Sequence, residues 1–365
     1  MPRPASPFIA LLLAALLIPT TTARVSESSP VASPQLAPAD REVTFASDGM
    51  TIHGSLMVPA VTDQGPGALI ISGSGPTDRN GNSGSLTTMN TNLNLAATLA
   101  SQGITSLRYD KLGSGATGLA GIADPAAITA SIFLQEASDA ADFLASQPEV
   151  DPTQIILVGH SEGALFALKL AEQMTAMGTP PAALMLVAPL SIRYLDLLNE
   201  QLTSQFDQVV AGQLMTLDDA EALSTELAAI IESLRSTGEL PETVTSPVLQ
   251  AIFNPVNVAF LVEADSWEPS AIAAALPTTL PVLVLLGEKD AQVQVHQVEQ
   301  LMAGFAEAGN EAASLVLLPE ANHLLRDVPG EPNPALDYVD PSLPFSPAAV
   351  QAITEFLAIH HLIRS

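Results

Sequence analysis

The sequence predicts an α/β protein built on a mostly parallel, doubly wound sheet. Three observations carry that expectation. Short apolar runs without alternation recur along the chain, segments with helical periodicity separate them, and one alternating pair of strands precedes them all. The pair comes first: Glu42–Ser47 and Thr51–Pro59 alternate apolar and polar residues across Asp48-Gly49, the pattern of a β-hairpin. The buried strands follow as 68–72 (ALIIS), 104–109 (ITSLRY), 155–159 (IILVG), 184–188 (LMLVA), 282–287 (VLVLLG) and 314–318 (SLVLL). Helices are expected near 86–102, 127–146, 162–177, 294–308 and 347–362. Residues 191–276 break the rhythm with helical periodicity at Tyr194–Val210, Asp218–Ser236 and Val248–Val262 and no clear strand. This segment is expected to form a helical cap inserted between two sheet strands, over the carboxyl edge where ligands bind in such sheets.

Composition narrows the class. Among 365 residues, 12 Lys and Arg stand against 39 Asp and Glu, a formal net charge of −27, and 47% of residues are hydrophobic. Such a chain has ample surface to bury and offers no basic footprint to a nucleic-acid backbone or an anionic lipid surface. With no cysteine it has no disulfide, thiolate metal site or cysteine nucleophile.

The amino terminus reads as a signal peptide over residues 1–23. Arg3 supplies positive charge, residues 8–18 (FIALLLAALLI) form an apolar run of eleven, and Thr22-Ala23 supply a small-residue exit. Eleven residues are too few for the roughly 30 Å hydrocarbon core, although an uncleaved anchor is the alternative. Residues 24–40, rich in Pro, Ser and Ala, read as a flexible linker, and the folded domain is expected over 41–365. No later apolar stretch approaches the length of a membrane span. The mature protein is therefore expected to be exported, periplasmic or secreted, with no stable membrane insertion.

The chemistry centres on Gly159-His160-Ser161-Glu162-Gly163, a G-x-S-x-G set between a buried strand and a helix. A sharp strand-to-helix turn of that kind exposes a serine hydroxyl at the sheet edge and leaves no room for β-carbons at its glycines. Ser161 is the expected nucleophile. A serine needs a base, and the base an orienting carboxylate, in the chain order Ser, acid, His. Of six histidines, His53 precedes the nucleophile, His160 lies inside the turn, His296 opens a helix close to the best acid, and His360 and His361 end the terminal helix. His323, in the loop after the last strand, is the expected base. Asp290, after strand 282–287, is the expected acid, with Glu288 the alternative. Two backbone amides should form an oxyanion hole, that of Glu162 and that of Ser74 in the glycine-rich loop after strand 68–72.

Gly113–Gly118 fits G-x-G-x-x-G, but no helix starts within it, so nucleotide binding is not expected. No motif calls for a cofactor or a metal. Phe206, Phe253, Phe260 and Trp267 in the cap segment fit either an acyl pocket or simple core packing.

The chain resembles the α/β-hydrolase superfamily, and more narrowly bacterial esterases of the serine-aminopeptidase-like type. The resemblance rests on SGSGPTDRNGN (72–82), RYDKLGSG (108–115), GHSEGA (159–164), LLGEKDAQV (285–293) and ANHLLR (321–326). It implies an α/β-hydrolase fold and a carboxylesterase acting on small to medium acyl esters through an acyl-serine. It assigns Ser161, Asp290 and His323 as the triad, and Ser74 and Glu162 as oxyanion donors. Asp78, Arg79 and Asp110 lie in motifs that line or brace the site. Ser72, Asn80 and Leu112 depart from the usual residues, which bears on binding and not on the triad. A serine aminopeptidase and a non-catalytic binding protein on the same scaffold are the competing expectations.

Overall fold

The computed structural model describes residues 38–60, 64–84, 89–119 and 121–363. The predicted signal peptide, and the predicted linker up to residue 37, lie outside the described residues. Eight strands form one sheet in the order β1-β2-β4-β3-β5-β6-β7-β8. The hairpin is β1 (Ala39–Ser47) and β2 (Met50–Val58), closed by Asp48 and Gly49 with φ of 45° and 79°. Strand β1 starts at Ala39, so the last residues of the predicted linker are already paired.

The parallel strands are β3 (Gly65–Ile71), β4 (Thr105–Tyr109), β5 (Val150–His160), β6 (Ala183–Val187), β7 (Val282–Gly287) and β8 (Ala313–Leu318). Their period of two divides the core. Ala68, Ile70, Ile156, Val158, Leu283 and Leu285 face a layer made by α1 (Thr91–Ser101) and α11 (Pro347–Ile359). Leu69, Ile71, Leu157, Leu186, Val284 and Leu286 face the layer of α2 (Ala130–Ala145), α3 (Glu162–Ala176) and α9 (Val295–Glu307). With both faces covered, neither needs polar side chains, and this is why the strands read as unbroken apolar runs.

Strand order reverses at β3: the chain goes first to β4 on one side and later to β5 on the other. The crevice at such a reversal lies at the carboxyl ends of the flanking strands. Here those ends carry the Gly73–Gly75 loop and Ser161.

The cap lies between β6 and β7 and comprises α4 (Tyr194–Ala211), α5 (Leu217–Thr237), α6 (Pro247–Ile252), α7 (Val258–Asp265) and α8 (Pro269–Ala275). The single helix expected over Val248–Val262 is two, because Pro255 has no N–H to continue the ladder. Helix α8 was not expected from the sequence, nor was the single turn α10 (Pro334–Asp337). Buried Asp265 holds the cap together, accepting from Arg193 at 2.6 Å, from Arg235 at 2.9 Å and from the Leu195 amide at 2.8 Å. Aromatic edges seat the cap on the domain, where Phe166 meets Trp267 at 5.8 Å and Phe133 meets Phe260 at 5.7 Å, while Phe260 and Tyr194 meet within the cap at 5.5 Å. Trp267 and Phe253 are buried in that core, so for them core packing prevails over a pocket. Phe206 lines an apolar cavity of about 330 Å³ between α4, α5 and α6, with Leu198, Leu202, Met215 and Leu223. Among the described residues no helix is long and apolar enough to cross a membrane.

Candidate active site

Ser161 sits between the last residue of β5 and the first of α3 with φ 56° and ψ −122°. A side chain is strained at positive φ, and the surrounding backbone holds it there. The Ser161 amide donates to Val187 O at 2.9 Å, and its carbonyl accepts from Leu190 and Ala164, both at 3.0 Å. The two glycines of the motif are required by close approach. A β-carbon on Gly159 would lie 2.3 Å from Gly163 O, and one on Gly163 would lie 2.2 Å from Ile71 O. Helix α3 thus packs directly on the end of β3.

Asp290 and His323 meet as expected. The His323 Nδ1–H donates to Asp290 Oδ2 at 2.8 Å, and both side chains are buried. The other carboxylate oxygen, Oδ1, accepts the amides of Gln292 at 2.7 Å and Val293 at 3.0 Å. The loops carrying the pair are pressed together at Gly287, where a β-carbon would lie 2.1 Å from Ala321 O. Glu288, the alternative acid, is exposed, so it is not the partner of His323.

His160, next to Ser161 in the chain, packs against this pair. It is buried and packs at a tilt of 47° against His323 with ring centroids 5.0 Å apart, and its Nε2–H donates to His323 O at 2.9 Å. Burial first, and then the neighbouring His323, lower its pKa to about 4, so it stays neutral. Among the described residues no direct hydrogen bond joins the Ser161 hydroxyl to His323.

The two expected oxyanion donors follow residues that touch: Ser74 comes after Gly73, and Glu162 after Ser161. Among the described residues, the amides of Ser74 and Glu162 donate to no protein acceptor. Gly73 lies against Ser161: a β-carbon there would sit 3.1 Å from Ser161 Cβ. Asp78 Oδ1 shapes this loop by accepting the amides of Asn80 and Asn82, both at 2.9 Å. Arg79 clamps it to the sheet through Asp110 Oδ2 at 2.9 and 3.1 Å, Gly54 O at 2.7 Å and Ser55 Oγ at 3.0 Å. Burial pushes the Asp110 carboxyl up, but the Arg79 guanidinium and the amides of Ala116 and Arg79 outweigh it and hold the pKa below the ordinary value. These residues brace the site. Ser72, one of the departures noted above, bonds to Asp78 O at 3.2 Å and accepts Asn92 Nδ2 at 2.9 Å, which again fixes the loop.

The Gly113–Gly118 segment closes on itself through Gly113 N to Gly118 O at 2.6 Å, and no helix begins in it. Three residues at the site were not singled out in the sequence: His160 as a contact of His323, Lys111, and Tyr194. Lys111 could have been noticed as a cation in a chain with only 12 Lys and Arg, next to Asp110 in the 108–115 motif.

Residues 68–335 match the model of the alpha/beta hydrolase family. The chain belongs to that family. No curated protein sequence matches it. Among solved structures, an alpha/beta hydrolase neighbour is Est1E from Butyrivibrio proteoclasticus, with 17% identity and a TM-score of 0.51, covering 88% of this chain and 99% of that one. Another is an esterase from Pyrococcus furiosus, with 14% identity and a TM-score of 0.54, covering 92% and 97%. At these identities the likeness concerns the fold. The strained serine follows β5, and the hydrogen-bonded Asp290–His323 pair stands in the loops after β7 and β8, so all three lie past the carboxyl ends of parallel strands.

Proposed function

We propose that the protein is an exported serine carboxylesterase acting on small to medium acyl esters. The observation that carries this reading is the His323–Asp290 bond at 2.8 Å, set beside a serine held at positive φ on the strand-to-helix turn. Ser161 Oγ attacks the ester carbonyl carbon while His323 Nε2 takes its proton, a contact that closes in the substrate complex. Asp290 keeps the His323 proton on Nδ1, so that Nε2 is free to accept, and stabilises the imidazolium. The amides of Ser74 and Glu162 receive the negative charge on the tetrahedral oxygen. His323 then protonates the departing alcohol, leaving an acyl-Ser161. Water, deprotonated by His323, attacks that ester and releases the acid.

The apolar cavity in the cap is the space this reading assigns to an acyl chain, and Gln201 at its wall donates to Gln292 O at 2.9 Å. An aminopeptidase would need a free carboxylate for the substrate amine. Glu162, the carboxylate nearest the nucleophile in sequence, is already held by Lys111 and Tyr194. The test is hydrolysis of p-nitrophenyl esters from acetate to long chains beside amino-acid p-nitroanilides, for wild type and Ser161→Ala. Ester turnover lost in the variant is expected. Anilide turnover alone, or ester turnover that survives in Ser161→Ala, would overturn the reading.

A further inference from the structure

Lys111 follows β4 and is buried beneath the site. Its Nζ donates to Gly73 O at 2.6 Å and to Glu162 Oε1 at 2.9 Å, and lies 5.6 Å from the Phe133 ring centroid. These partners belong to the two sides of the expected oxyanion hole. Gly73 C=O and Ser74 N–H are one peptide unit. In a trans peptide they point in opposite directions, so a cation that holds the carbonyl on one side aims the amide to the other. Drawing electron density toward that carbonyl also makes the N–H a stronger donor. On the other side, Lys111 and the Tyr194 hydroxyl, at 2.6 Å from Glu162 Oε2, fix the side chain of the residue whose amide is the second donor. Burial and then Glu162 push the Tyr194 phenol up, so it stays a donor.

We propose that Lys111 is a positioning residue for the oxyanion hole, one buried ammonium setting the peptide of Ser74 and the first turn that carries the Glu162 amide. The inference rests on the esterase reading above. Its charge is balanced by Glu162. Glu136 on α2 also faces this region and accepts the Leu112 amide at 3.1 Å, but burial raises its pKa to about 8, despite that amide and Lys111, so it is mostly protonated at neutral pH. An ammonium that only filled space could be replaced by an apolar side chain of similar length without changing the chemical step. One that orients the hole acts on the transition state, where charge sits on the oxygen, and hardly on the bound ester.

The experiment compares wild type, Lys111→Met, Lys111→Arg and the charge-balanced Lys111→Met/Glu162→Gln, with Ser161→Ala as control. The readouts are kcat and KM for p-nitrophenyl butyrate and the rate of phosphonylation by a fluorophosphonate probe, both of which develop charge on the oxygen facing the hole. The double variant leaves no buried charge unpaired, so it remains informative if Lys111→Met alone does not fold. The expected result is a fall in kcat of about 10- to 100-fold with KM changed less than about threefold, a parallel fall in phosphonylation rate, and partial recovery in Lys111→Arg. If the folded double variant keeps kcat and phosphonylation within about twofold of wild type, or loses only KM, the inference fails while the esterase reading stands. A wild type that neither turns over ester nor labels at Ser161 would overturn both.

Discussion

Replacing Asp290 by Asn tests the site at its most constrained point. The two carboxylate oxygens are not equivalent: Oδ1 accepts two backbone amides, from Gln292 and Val293, and Oδ2 accepts the single Nδ1–H of His323. An asparagine must choose which end carries its NH2. If the amide group faced Gln292 and Val293, one half-buried and one buried N–H donor would lose their acceptor at about 1–3 kcal/mol each. The opposite orientation keeps both and turns Nδ2–H toward His323. The excess of two lost bonds, at least about 2 kcal/mol at about 1.4 kcal/mol per factor of ten, leaves more than about nine molecules in ten in that second orientation. His323 must then accept at Nδ1 and carry its proton on Nε2, the tautomer that cannot take the serine proton. The expected outcome is a fall in kcat of about 10⁴-fold with the fold intact, since every buried polar group keeps a partner. The assay is p-nitrophenyl butyrate turnover together with a urea melt, and Glu288→Gln serves as the exposed neighbour expected to stay within about twofold of wild type. Activity of Asp290→Asn within tenfold of wild type would refute the reasoning, as would a large loss in Glu288→Gln.

The remaining expectations concern the turn and its histidine. Ser161→Gly should abolish activity and be more stable than Ser161→Ala by about 1 kcal/mol in urea melts, because glycine relieves the φ of 56° that alanine retains; equal or reversed stabilities would mean the serine is not strained. Gly163→Ala should cost about 3 kcal/mol or prevent folding, since its β-carbon would lie 2.2 Å from the backbone oxygen of Ile71, and a normal melting curve would contradict that packing. His160 has its pKa depressed to about 4 in the folded state against about 6.5 unfolded, so its contribution is present above pH 6.5 and is lost as pH falls toward 4, by up to about 3 kcal/mol. His160→Gln, which keeps a donor for His323 O, should lose less stability over that window, and parallel stability–pH curves for the two proteins would count against the assignment.

Most of the sheet was legible because its signals are local. Continuous apolar runs report burial on both faces, and the run at 282–287 became β7 with the same ends. The misses also have local causes that a periodicity argument overlooks. The run of apolar residues across Val248–Val262 keeps helical spacing while Pro255 removes the N–H the helix would need, so spacing alone joins what the backbone divides. Helix α8 is seven residues long, too short to show a period of its own. It exists because Pro269 starts it and α9 gives it a face: a β-carbon on Gly304 would lie 2.2 Å from Ser270 O, so the two helices touch backbone to backbone.

The site divides along a different line. Ser161 and the glycines around it were legible because the geometry they serve is made by five consecutive residues. The pairing of Asp290 with His323 was legible because chain order and strand ends limit which carboxylate and histidine this fold brings together. Lys111, His160 and Tyr194 are defined instead by what they meet, and their partners lie 38, 163 and 32 residues away. A lysine beside Asp110 reads in sequence as a local ion pair, yet Asp110 is taken by Arg79, 31 residues back, which leaves Lys111 for Gly73 and Glu162. That exchange of partners is a property of burial. In water either cation could serve either carboxylate at little cost, but beneath the crevice each charge must have a partner in hydrogen-bond contact, and the pairing becomes unique. The same requirement explains why so acidic a chain spends two of its 12 basic residues on this small region: one to fix the Asp78–Arg79 loop to the sheet, the other to hold the Gly73–Ser74 peptide beside Ser161.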